Sequence, residues 1–192
     1  MLRSILASAA FALAAPAALA ETDPADIGPS IGVEAPTLTA VTSAGETVGL
    51  AEISGGNGAV LVFSRSLDWC PFCKKQALEL DDVDEMLSEA GWGLNLITYD
   101  SPETLATFGA DSELTYTLLS DTDSAMIDAF ALRNTEVTAG SRFDGIPHPA
   151  IVWISNDGVV RGFMREEGYK DRPPTEVLPE IAALLNEALT SP

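Results

Sequence analysis

The sequence predicts an α/β domain with a central mixed β-sheet flanked by helices. Three features carry that expectation. The runs AVLVFS (residues 59–64) and AIVWIS (150–155) are continuously apolar and partly β-branched, so they read as strands covered on both faces. A stretch of helical period from about Pro71 to Ala90 separates the first run from GLNLITYD (93–100), and a strand–helix–strand order implies a parallel pair with a right-handed crossover. The turn signal Asn156-Asp157-Gly158 joins the last apolar run to VVRGFM, which adds an antiparallel hairpin at the end of the sheet.

Taken in order, the chain begins with MLRSILASAAFALAAPAALA. One early charge at Arg3, an alanine-rich apolar run and a small-residue ending at Ala18-Leu19-Ala20 give the pattern of a cleaved export leader over residues 1–20. The expected location is therefore outside the cytoplasm, most naturally the periplasm, with no stable membrane insertion once the leader is removed. Residues 21–36, rich in proline, glycine and acids, read as an extended lead-in. A single domain is expected over residues 37–190. TLTAV and ETVGL flank Ser43-Ala44-Gly45 as a small hairpin.

Farther on, Leu80, Val83, Leu87 and Ala90 recur at helical spacing, and Gly91 supplies the stop. Ser101 followed by Pro102 is a helix start, YTLLS (116–120) a short strand, and Asp121 or Asp123 a cap for a helix through Phe130. Residues 133–149 are expected to be irregular. From Thr175 an amphipathic helix follows, with Pro179 in its first turn and Ile181, Leu184, Leu185 and Leu189 as its apolar stripe.

At 46% apolar residues the chain can bury a substantial core. Its formal net charge of −19 repels phosphate backbones and argues against nucleic acid as a partner.

Both cysteines lie in SLDWCPFCKKQ (66–76), at Cys70 and Cys73. A bridge closing so short a loop removes little entropy from the unfolded chain, so the pair is a poor staple. With Cys70 at the helix N-cap, Pro71 takes the first helical position, where its missing N–H costs nothing. The Cys73 amide can then point at the Cys70 sulfur. Helix dipole and unpaired amides both favour thiolate there, and Lys74 and Lys75 add positive charge that Asp68 opposes. Cys70 is expected to be exposed and nucleophilic. Cys73, one turn inward and sheltered, would resolve a mixed disulfide.

A CxxC pair after Trp69, at a strand-to-helix turn, with a later Gly/Pro loop leading into an apolar strand, resembles the thioredoxin fold superfamily over roughly residues 35–190. Within it the redoxin branch, the alkyl hydroperoxide reductase and thiol-specific antioxidant group, is the best match. LITYDSPETLATF and TLLSDTDSAMIDAFAL look like that branch's insertion, and PAIVWISNDGVV like its closing hairpin. The resemblance implies a thioredoxin-like fold and catalytic cysteines Cys70 and Cys73, with no bound cofactor and no metal. It also implies a cis-proline at the substrate edge. Counting back from Gly158 places it at Pro149, with Pro147 as the rival. The sole histidine, His148, would then lie beside the sulfurs as a thiolate-stabilising or proton-relaying group. Trp69, Pro71 and Lys74 are supporting residues.

The resemblance departs in the residues that activate peroxide. A peroxiredoxin places threonine or serine three residues before its peroxide-attacking cysteine and proline seven before, where this chain has Leu67 and Phe63; Ser66 is one position out of register. The family's later arginine would fall at about Pro149, leaving Arg65 and Arg142 as substitutes. The dithiol set is the more complete, so thiol–disulfide exchange is the leading expectation, with a thiol or disulfide protein as substrate and another thiol protein as electron donor. Hydroperoxide reduction is the alternative. Copper delivery of the Sco type, through Cys70, Cys73 and His148, is a further alternative by ligand type, although that family spaces its cysteines CxxxC.

Overall fold

The computed structural model describes residues 27–168 and 170–190. The leader at 1–20 and the first part of the lead-in lie outside them. The strands are β1 (Ala40–Thr42), β2 (Thr47–Val48), β3 (Gly58–Phe63), β4 (Trp92–Thr98), β5 (Thr117–Ser120), β6 (Ala150–Ser155) and β7 (Val160–Arg165). The helices are α1 (Leu50–Ile53), α2 (Pro71–Glu89), α3 (Pro102–Asp111), α4 (Ala125–Ala129) and α5 (Leu178–Thr190). One seven-stranded sheet runs in the order β2-β1-β5-β4-β3-β6-β7. β3, β4 and β5 are parallel; β6 and β7 close one edge antiparallel, and β1 and β2 the other. The α/β, mixed-sheet, thioredoxin-like expectation is met.

Strand β3 is buried at all six positions because the sheet is covered on both sides. Its side chains alternate between two cores. Val60 and Val62 face α2 and α5 with Leu80, Leu87, Trp92 and Trp153, while Ala59, Leu61 and Phe63 face α4 with Met126, Ile127 and Phe130. Gly58 starts the strand where the chains come closest. A Cβ there would lie 2.1 Å from the Ile154 carbonyl oxygen, so only glycine fits.

The sheet ends its parallel run at Thr98, and the chain turns through Tyr99 and Asp100 into α3. Ser101 caps α3 by accepting from the Thr104 N–H at 3.3 Å, with Pro102 next, as expected. Asp121 caps α4 from a distance, its two oxygens accepting from Met126 N–H and Ile127 N–H at 3.1 and 2.9 Å. Burial raises its carboxyl above the usual range, and these amides partly offset the rise.

Three local expectations need correction. The second hairpin strand ends at Val48, and Leu50 already belongs to α1, where Glu52 accepts from the Gly49 N–H at 2.8 Å. In α5, Leu184 is 58% exposed; the face packed on α2 is Leu178, Ile181, Ala182, Leu185 and Leu189. The stripe read from the sequence had included one residue from the neighbouring face. Among the described residues no peptide bond is cis, so Pro149 leads into β6 through a trans bond, and the bond before the rival Pro147 is trans as well. No helix among the described residues is long and apolar enough to cross a membrane.

Candidate functional site

The site forms where β3 gives way to α2. After Phe63 the chain leaves the sheet and must turn before the helix starts. A buried carboxylate from the neighbouring strand end holds that turn. Asp100 accepts from the Ser66 hydroxyl at 2.8 Å, the Leu67 N–H at 2.6 Å and the Thr98 hydroxyl at 2.9 Å. The Ser66 hydroxyl oxygen in turn accepts from the Asp68 and Trp69 amides at 3.0 and 3.3 Å. Every backbone donor from Leu67 to Trp69 is thus satisfied by a side chain, which fixes the approach to Cys70 without secondary structure.

Cys70 is the N-cap of α2 and Pro71 its first residue. The Cys73 N–H donates to the Cys70 sulfur at 3.3 Å, the local geometry the sequence implied. The two cysteines form a disulfide, with Cα atoms 5.2 Å apart. Behind them Cys73, Ala77, Leu80, Val83 and Leu87 form the buried stripe that seats α2 on the sheet.

Exposure differs from the expectation. Cys70 is 2% exposed and Cys73 0%, so neither sulfur of the oxidised pair faces open solvent. Phe72 between them stands outward at 39%. Trp69 packs edge-on against Phe143, with ring centroids 4.7 Å apart, and its Nε1–H donates to the Tyr99 hydroxyl at 2.9 Å. That hydroxyl donates onward to the Arg142 carbonyl at 3.0 Å, and the Arg142 guanidinium lies over the Phe143 ring. Trp69 is therefore a wall of the site, tied to the loop that precedes β6.

The charged candidates separate. Lys74 directs its ammonium toward the Phe108 ring, 6.0 Å from the centroid, and Lys75 pairs with Glu79 at 2.6 Å. His148 lines a different cleft, of about 500 Å³, with Arg65, Pro149 and Arg165, and its amide donates to the Leu132 carbonyl. Burial lowers its pKa below the usual imidazole value; Arg165 and Arg65 act in the same direction, and Glu136 opposes them. His148 and Pro149 thus line the Arg65 cleft, and the bond between them is trans. Among the described residues no group of three or more His, Cys, Asp or Glu side chains could hold a metal ion, so the copper reading lacks its ligand set.

One residue that sequence reasoning missed meets the sulfurs directly. Arg172, on the segment between β7 and α5, places Nη2 at 3.2 Å from the Cys73 sulfur and 3.7 Å from that of Cys70. Its Nη1 donates to the Asp171 carbonyl at 2.7 Å. Burial, assisted by the Arg65 charge and opposed by Asp171, lowers its pKa to about 10, so it stays cationic at neutral pH. The segment lines a cleft of about 370 Å³ with Phe72, Lys75 and Pro174.

A family model described as AhpC/TSA family matches residues 31–163. A protein named putative peroxiredoxin bcp from Haemophilus influenzae is 30% identical over 142 residues, covering 74% of this chain and 90% of that one. Peroxiredoxin Bcp from Escherichia coli is 31% identical over 126 residues, 66% of this chain and 79% of that one. Among solved structures, peroxidoxin BcpB from Mycobacterium tuberculosis superposes with a TM-score of 0.69 at 18% identity, covering 86% of this chain and 100% of the other. A thiol peroxidase from Chromobacterium violaceum gives 0.67 at 23%, covering 85% and 91%. At those identities the two structures share the fold.

Proposed function

The chain belongs to the AhpC/TSA family of thiol-based oxidoreductases, and from that premise we propose that it is a thiol peroxidase in which Cys70 attacks a hydroperoxide and Cys73 resolves it. This reverses the order expected from sequence, which put disulfide exchange first; the peroxiredoxin relatives favour the peroxidase. The observation that carries the residue assignment is the Cys70 sulfur at the N-cap of α2, receiving the Cys73 amide at 3.3 Å and already joined to the Cys73 sulfur.

In the proposed reaction the Cys70 thiolate attacks the terminal peroxide oxygen. An S–O bond forms, the O–O bond breaks, and the alcohol leaves with a proton. The Cys73 thiolate then attacks the sulfenic sulfur, the S–S bond forms and water departs. An external dithiol returns the two electrons. The helix amide holds Cys70 ionised for the first step. Reduced protein should consume hydroperoxide well above free-thiol rates. Cys70→Ser should abolish turnover, and Cys73→Ser should leave one turnover that ends in a trappable sulfenic acid. If Cys70→Ser retains peroxidase activity, the assignment fails.

Thiol–disulfide exchange remains the second reading. Leu67 in place of a hydroxyl residue, together with the outward Phe72, favours a disulfide-bearing protein as substrate. It gains the lead if Cys73→Ser accumulates a mixed disulfide on Cys70 while hydroperoxide is left untouched.

A further inference from the structure

The Arg172 contact gives the two sulfurs different stabilisers. Cys70 has the backbone amide at the start of α2. Cys73 lies deeper and shares nothing of that N-cap position, yet the Arg172 guanidinium is nearer to it, at 3.2 Å against 3.7 Å. We propose that Arg172 is a catalytic residue that holds Cys73 as a thiolate, making it the leaving group when the disulfide is reduced and the ready nucleophile when it re-forms. This rests on the dithiol reading above and assigns a charge source that the cysteine motif does not contain.

The chemistry requires such a source. Burial in apolar surroundings pushes a thiol toward its neutral form, and Cys73 is fully buried among Ala77, Leu80 and the β-strand core. In disulfide reduction the donor thiolate attacks the Cys70 sulfur, a new S–S bond forms, and the electron pair of the broken bond goes to Cys73. A leaving thiolate of low pKa departs faster. The guanidinium converts an uncompensated buried anion into a charge-assisted hydrogen-bonded one. The donor's second thiolate then attacks its own sulfur in the mixed disulfide and releases Cys70 as a thiolate to the helix amide. Two electrons have passed, and the donor leaves as a disulfide. In the oxidative half the same contact keeps Cys73 ionised to attack the sulfenic acid.

Position 149, where a family arginine would fall, is proline, and that residue lies in the His148 cleft. The cation that reaches the sulfurs comes from the segment between β7 and α5. Arg65, buried at 9% exposure, acts electrostatically on Arg172. A like charge acting on Arg172 makes an anion beside it more favourable still.

The test uses the full-length protein with Cys70→Ser, which leaves one thiol. Titration by thiolate ultraviolet absorbance should place Cys73 below the ordinary cysteine value of about 8.5. Adding Arg172→Gln should raise it by about one unit or more, and Arg172→Lys should restore most of the shift because it keeps the charge. Lys75→Gln removes the same charge from the same cleft, touches neither sulfur, and should change nothing. In the two-cysteine protein, Arg172→Gln should slow reduction by a small dithiol about tenfold. An unchanged titration in Arg172→Gln, or an equal shift in Lys75→Gln, overturns the proposal. Should Arg172→Gln fail to fold, Cys70→Ser alone decides, since a Cys73 value at or above 8.5 overturns it. Peroxidase activity without the Arg172 effect would sink this inference and spare the functional reading. The Arg172 effect without turnover on hydroperoxide or disulfide would do the reverse.

Discussion

Two segments flank the disulfide, and they are held by different means. Residues 66–69, on the core side, are fixed by a buried carboxylate: Asp100 and the Ser66 hydroxyl between them receive three backbone amides and two hydroxyls. Residues 170–177, on the open side, carry two adjacent prolines without amide protons, and Asp171 N–H reaches the Gly168 carbonyl at a long 3.3 Å. The first segment is held by side-chain acceptors from the core; the second meets the sulfurs through Arg172. The approach to the sulfurs is therefore set from the core, whereas the cation that meets them comes from the open side. Such a division suits a site that must hold one geometry through oxidation yet admit a reductant.

The strongest way to break this comparison is Asp100→Ala. It strands the Ser66 and Thr98 hydroxyls and the Leu67 amide in a buried place, and should cost about 3 kcal/mol in urea unfolding. Peroxide turnover should fall with it, because the turn before Cys70 loses its anchor. A cost under about 1 kcal/mol would mean that Asp100 does not anchor the core-side segment. Asp100→Asn, which keeps one acceptor oxygen, should fall between the two.

A smaller effect is expected at Trp69→Phe. The substitution keeps an aromatic face for Phe143 and removes only the hydrogen bond to Tyr99. The Tyr99 hydroxyl still donates to the Arg142 carbonyl, so the expected loss is about 1 kcal/mol. Chemical-denaturation midpoints would measure it. A loss as large as that of Asp100→Ala would shift the anchor of the segment from the carboxylate to the indole.

The same contrast explains what the sequence disclosed. Cys70 as cap, Pro71 at the first position and Cys73 one turn in follow from rules that act over four residues, and the fold obeys them. The buried strands were legible because their composition is set by burial on both faces. Asp100 left a weaker signal, an acid at the end of a buried strand parallel to the one that leads into the cysteines. Arg172 left none. It lies 99 residues from Cys73, in a proline-containing stretch with no period, and only the closed fold brings it to the sulfurs. The cis bond expected at Pro149 rested on the thioredoxin-like resemblance alone, and the chain there is trans.

The smallest expected effect concerns the join between the two regions. Arg65 lies just before the anchored turn, yet its charge acts both on Arg172 and on His148. His148 has a lowered pKa in the fold, chiefly from burial, then from Arg165, with Glu136 opposing and Arg65 adding to the lowering. The unfolded chain therefore takes up the proton first. The stability that neutral His148 contributes is complete above the unfolded value of about 6.5 and is lost as pH falls from there through the folded pKa. Because the ring is only half-buried, water screens much of the effect and the slope should be shallow. Melting temperature followed from neutral pH into this acid window should decline less steeply in His148→Gln than in the parent protein. Arg165→Gln should also flatten the decline, by removing the largest cationic contribution. An identical decline in all three proteins would show that neither the imidazole nor the Arg165 charge contributes to the acid sensitivity.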